Sequence, residues 1–142
     1  MKNVNNGIIL VDHGSQLPQS NALLDEVAKA LTQRFPDRFP IVEPAHMDIA
    51  EPSIAAAYDR CVRRGATHLI ICPYFLGPGK HWTRDIPRLA AAAQAHHSGT
   101  TCHLTATLGL DDLILELLAK RIGECEAATL DCPQCRGTTP RG

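Results

Sequence analysis

The chain lacks a surplus of charge of either sign. Its 14 Lys and Arg nearly offset 15 Asp and Glu, leaving −1 over 142 residues. No global basic field therefore exists to hold nucleic acid, and any anionic ligand must be met by a local basic patch. Long hydrophobic runs are missing as well: no apolar stretch approaches the roughly 20 residues that cross a bilayer, so no membrane span is expected. The N-terminal MKNVNNG has no signal-peptide core, because Ile8–Val11 is short and runs straight into polar residues. The expected location is the cytoplasm. Internal repeats and low-complexity segments are absent too. What is present, 44% hydrophobic and 20% charged residues, describes an ordinary globular chain rather than a disordered one.

The six cysteines fall into two groups. Cys61, Cys72 and Cys102 sit inside periodic apolar segments, where a free thiol acts as a small hydrophobe. Cys125, Cys132 and Cys135 crowd into a polar tail, a pattern that in a cytosolic chain suggests metal or redox chemistry more than a disulfide framework.

Short apolar runs alternate with longer amphipathic ones. Gly7–Asp12 reads as a buried strand and Asn21–Phe35 as a helix with Leu24, Val27 or Ala28, Leu31 and Phe35 on one face. Two prolines make the Phe35–Pro40 stretch a turn. Ile41–Met47 reads as a strand whose Pro44 places it at a sheet edge. Pro52 opens a helix carrying Ile54, Tyr58, Cys61 and Val62 inward, and Gly65 stops it. Thr67–Tyr74 is a third strand, followed by a Gly77-Pro78-Gly79 loop and a helix beginning near Asp85–Pro87. Thr101–Thr107 is a fourth strand, and Leu110–Ile122 a fourth helix ending before Gly123. These are four βα units, which imply an α/β fold: a parallel sheet flanked by helices, with the order 2-1-3-4 favoured by right-handed crossovers. One domain over residues 1–123 and a cysteine-containing tail over 124–142 are expected.

In open α/β sheets ligands bind beyond the carboxyl ends of the strands, where the strand order reverses. That point lies here between strands one and three. Asp12-His13-Gly14-Ser15 follows the first, and Pro73 through His81 follows the third. Two histidines far apart in sequence are thus expected at one crevice, with His46-Met47-Asp48 reaching the same rim. Imidazole with carboxylate suits a borderline divalent metal such as Co²⁺, Ni²⁺ or Fe²⁺, and histidine exchanges protons near neutral pH. Lys80, Arg84 and Arg88 form a local basic cluster able to hold an anion. Each residue also has a plainer role: His13 capping a strand, His81 exposed in a loop, Asp48 an acid before a helix, His46 packed or solvated, Ser15 satisfying turn backbone. Convergence at the switch point is what raises His13 and His81 above these.

The stretches GIILVDHGS, VEPAHMDIAEPSI and GATHLIICPYFLGPGKHWTRDIP resemble the small sirohydrochlorin chelatases of the CbiX and SirB type, in register from about Gly7 to Ile122. The pattern P-x-F-L-x-x-G-x-H-x-x-x-D-I-P at Pro73–Pro87 is its most specific part. The resemblance implies a class II chelatase fold, specifically a chelatase-like half, and ATP-independent insertion of a divalent metal into the tetrapyrrole sirohydrochlorin, in cobalamin or siroheme biosynthesis. It carries metal-binding and proton-handling roles onto His13 and His81. The family's acidic ligand, commonly Glu, falls on Asp48, which is one methylene shorter; Glu43 is a fallback. Ser15, Lys80 and Arg84 would meet substrate carboxylates, and a homodimer would hold the macrocycle between subunits. The tail, Cys125-x₆-Cys132-Pro-Gln-Cys135, resembles cysteine-bearing tails of some ferrochelatases that hold an iron–sulfur cluster. Three thiolates are one short of the usual four for a cluster or zinc.

Two other functions compete. A non-catalytic metal-binding or delivery module would use the histidines and tail cysteines to hand a metal on. A phosphoryl-transfer enzyme with His13 as nucleophile is disfavoured, since no Arg stands beside His13 to hold phosphate.

Overall fold

The computed structural model describes residues 5–128, except for the side chains of residues 80–82. The chain divides into two compact units, one ending at Thr107 and one starting at Leu108. The first contains β1 (Asn6–Asp12), α1 (Pro18–Arg34), β2 (Val42–His46), α2 (Ile54–Arg63), β3 (His68–Pro73), α3 (Lys80–Ala95) and β4 (Thr101–Leu104). The second contains α4 (Asp112–Ala127).

All strands pair in parallel, in the order β2-β1-β3-β4. The expected topology is therefore observed. Ile8, Ile9, Leu10 and Val11 are all buried, because helices cover both faces of the central strand. Alternation divides them. Ile9 and Val11 join Leu69 and Ile71 beneath Ile54, Tyr58 and Cys61 of α2 and Ile86 and Ala90 of α3. Ile8 and Leu10 instead meet Leu24 and Ala28 of α1. Each such large side chain taken from water contributes about 1.5–3 kcal/mol, so the two layers fix the sheet's register. At Gly7 a Cβ would lie 2.8 Å from that of Ala66 and 3.0 Å from that of Cys61, so only glycine lets the α2 region pack this closely on β1.

Pro44 stands at the sheet edge, as expected. Ile41 O accepts from Ile8 N–H at 2.9 Å, and Met47 N–H reaches Asp12 O at 2.8 Å. Odd-numbered residues of β2 thus turn their backbone toward β1, and Pro44 turns outward, where its missing donor costs no ladder bond.

Local signals misplace several boundaries. Helix α2 starts at Ile54, not Pro52, because Ser53 is the N-cap: its Oγ accepts from Ala56 N–H at 3.1 Å. Gly65, at φ 102, ends α2 as expected. Helix α1 begins at Pro18, ahead of Asn21, and its expected core residue Phe35 is a 41% exposed C-cap. Strand β4 stops at Leu104, where its ladder with β3 ends at Ile71.

The largest corrections concern α3 and α4. Helix α3 begins at Lys80, and Pro87 lies inside it rather than near its start. Proline there deletes one intrahelical bond, a local cost that burial of Ile86, Ala90 and Ala93 offsets. In the second unit, α4 passes through Gly123 and so includes Cys125. An interior glycine costs only about 1 kcal/mol relative to Ala, too little to stop a helix capped at Asp111, whose carboxylate accepts from Leu113 N–H at 3.0 Å. No residue of α4 is buried; Leu113, Leu117, Leu118 and Ile122 are exposed.

Candidate active site

The crevice is built where β1, β2 and β3 end. Strand β1 delivers Asp12 and then His13, which is exposed. The ring of His13 meets that of Phe75, from the loop after β3, edge-on at 4.2 Å between centroids. This contact joins the loops on the two sides of the switch point. One imidazole face is thereby oriented while the ring stays open to solvent, which is what reversible metal or proton exchange requires.

The loop after β2 is fastened to His13 from below. Asp48 N–H donates to His13 O at 3.1 Å, beside the Met47–Asp12 bond. Gly14 has φ 86, and a Cβ there would sit 2.1 Å from Asp48 O. Only glycine fits, for both reasons at once. The side chain of Asp48 is exposed at this rim, and its Oδ1 accepts from Ile49 N–H at 2.8 Å. Ile49 itself is held at φ 73, a left-handed conformation costly for a β-branched residue. Such strain persists only where surrounding bonds impose it, here those made by Asp48.

Sequence reasoning missed the role of Asp12 and misjudged His46. His46 is neither solvated nor merely packed. It is 2% exposed, and its Nδ1–H donates to Asp12 Oδ1 at 2.5 Å. The same oxygen accepts from Gly14 N–H at 2.9 Å. No local motif announces a pair between residues on two different strands, although the register Asp12↔His46 follows once β1 and β2 are aligned. Asn21 was also missed. Its amide brackets the Ser15 backbone, accepting from Ser15 N–H at 2.8 Å and donating to Ser15 O at 2.7 Å.

The other expected site residues are distributed as follows. Ser15 Oγ accepts from Leu17 N–H at 3.0 Å, the turn-satisfying role. Glu43 is held by Arg64 at 3.2 Å on β2. Lys80 and His81 occupy the first turn of α3 instead of a loop, and their side chains lie outside the description. Arg84 is exposed one turn on, and Arg88 pairs with Asp85 at 3.6 Å. Cys132 and Cys135 lie outside the described residues; Cys125 is half-buried on α4. Among the described residues no three His, Cys, Asp or Glu side chains gather as a closed metal cage. Burial pushes the Cys61 thiol up to about 12, so it is inert at neutral pH.

Sheet order and an exposed histidine at the central strand's end define an open α/β protein with a candidate site at the switch point. More narrowly, the chain belongs to the CbiX family, whose profile matches residues 7–125. The chloroplastic sirohydrochlorin ferrochelatase of Arabidopsis thaliana is 44% identical over 136 residues, 93% of this chain and 60% of that protein. A sirohydrochlorin cobaltochelatase of Methanocaldococcus jannaschii is 42% identical over 90 residues, 63% of this chain and 62% of that protein. The chain thus spans about six-tenths of the length of these relatives. The cobaltochelatase of Methanosarcina barkeri is 30% identical, with 83% of this chain and 95% of that one aligned. Among solved structures, a putative cobalamin biosynthesis CbiX protein from Marinobacter aquaeolei shares the fold with TM-score 0.75 at 23% identity, over 89% of this chain and 98% of its own. SirB from Bacillus subtilis with Fe³⁺ matches with TM-score 0.77 at 21% identity, over 85% of this chain and 47% of its own. No helix among the described residues is long and apolar enough to cross a membrane.

Proposed function

We propose that this protein is a lyase that inserts Co²⁺ or Fe²⁺ into sirohydrochlorin without ATP. The observation that carries the reading is His13, exposed at the end of β1 and braced edge-on by Phe75 from the β3 side, in a chain of this family. Metalation must strip two pyrrole N–H protons while the metal exchanges its own ligands. His13 and Asp48 would hold the ion from one side, leaving open positions for the macrocycle nitrogens. His81, in the first turn of α3, would serve as the second histidine and as a proton acceptor. Lys80 and Arg84 would meet the substrate's carboxylates, with Ser15 contributing through its turn, while the exposed apolar side chains of Ile49, Tyr74 and Leu76 suit a flat ring. Ni²⁺ is a possible third metal, because this donor set selects weakly.

The working unit in this reading is a cytoplasmic homodimer. The tail thiols Cys125, Cys132 and Cys135 would bind a cluster or zinc with further ligands from a partner copy. Anaerobic protein is expected to carry iron with sulfide, or zinc; finding none removes that part.

The deciding experiment mixes anaerobic protein with sirohydrochlorin and each of Co²⁺, Fe²⁺ and Ni²⁺, and follows the absorption change above the uncatalysed rate. His13→Ala and His81→Ala are expected to fall to background, and full activity in either excludes that residue. Replacing all three tail cysteines by serine is expected to leave insertion largely intact, whereas a metal-delivery module would lose its function.

A further inference from the structure

The β1–β2 ladder itself runs through backbone groups. Yet a carboxylate and an imidazole are kept at the base of the crevice, the imidazole at 2% exposure. Burying such a pair is costly unless its hydrogen bonds are met. They are met in a way that ties two loops together. Asp12 Oδ1 takes Gly14 N–H from its own loop and His46 Nδ1–H from the other. His46 N–H in turn donates to Pro52 O at 2.8 Å, anchoring the far end of the β2–α2 loop. Gly14 packs into the concavity so formed, with its Cβ position 3.1 Å from His46 Cβ. Between these anchors stand only His13 on one loop and Met47 to Glu51 on the other.

We propose that Asp12 and His46 are a positioning pair that sets His13 and Asp48 at a fixed separation, so that the metal meets two donors already in place. The inference rests on the reading of those two residues as metal ligands. Neither Asp12 nor His46 touches the ion; both act through the backbone of the ligand loops. Groups beyond the direct ligands commonly change metal affinity by about 10–100-fold when lost.

Three variants test this in the full-length protein. His46→Leu fills the space without a donor. His46→Asn returns an N–H near the Nδ1 position, and His13→Ala removes a ligand. Two readouts are used: the visible spectrum and affinity of bound Co²⁺, and the hydrogen-exchange protection of the Gly14 and Asp48 amides without metal. Leucine is expected to weaken Co²⁺ binding about 10–100-fold, alter its spectrum and deprotect both amides. Asparagine is expected to restore all three. The pair's role is overturned if leucine matches the wild type in both readouts, or if asparagine fails to restore either one while melting like the wild type. Unchanged Co²⁺ binding in His13→Ala would overturn the ligand reading instead, and the amide protection would still decide whether the pair orders the loops.

Discussion

The two walls of the crevice are built in opposite ways. On the β1–β2 side, Gly14 is so tightly enclosed that a methyl group would lie 2.1 Å from Asp48 O, while on the β3 side a Cβ at Gly77 or Gly79 would meet nothing within 4 Å. The first wall is cross-linked by hydrogen bonds between two loops. The second follows β3 as a proline- and glycine-rich segment and re-enters regular structure only at Lys80. An ion with fixed bond lengths requires rigid donors, whereas a macrocycle many times larger requires a surface with room around it. Under the proposed function, the first wall suits the metal and the second the broad substrate.

The largest expected effect tests the chemistry of the rigid wall. His13→Ala should lower metal insertion to the uncatalysed rate while melting within a few degrees of the wild type, because the side chain is exposed. Next, Gly14→Ala should cost about 2–4 kcal/mol in urea unfolding, through both its left-handed φ and its contact with Asp48 O. A loss under about 1 kcal/mol would mean that the two loops are less firmly joined than their geometry implies. Ile49→Gly should raise stability by about 1 kcal/mol by releasing the left-handed strain, and its effect on KM would then report whether the lost side chain meets the ring. The smallest effect belongs to the open wall. Gly77→Ala should change stability by less than about 0.5 kcal/mol. A penalty as large as that at Gly14 would erase the contrast between the walls.

Much of this was legible in the sequence, because its signals were either periodic or topological. Uninterrupted apolar strands alternating with amphipathic helices identify a parallel sheet, Pro44 marks the edge, and strand order places His13 at the switch point. Boundaries were read less well where a single residue stood in for the sum of its surroundings. Pro87 resembles a helix start, but burial on either side of it outweighs one lost hydrogen bond. Gly123 resembles a stop, yet nothing after it adopts a helix-ending conformation until Ala128. Asp12 illustrates a different limit. Its meaning depends on His46, which lies on another strand and becomes its neighbour only when register is known. Pairings across strands leave no local trace, so the support beneath a site is harder to read than the site's exposed residues.

Pro44 has a consequence beyond this chain's own ladder. An edge strand with all its outward donors intact is a template on which another strand can dock, extending one sheet into the next molecule. At the β2 edge that template is interrupted at its middle residue. A second molecule approaching there finds a ladder with a missing rung, which disfavours a shared sheet at this edge.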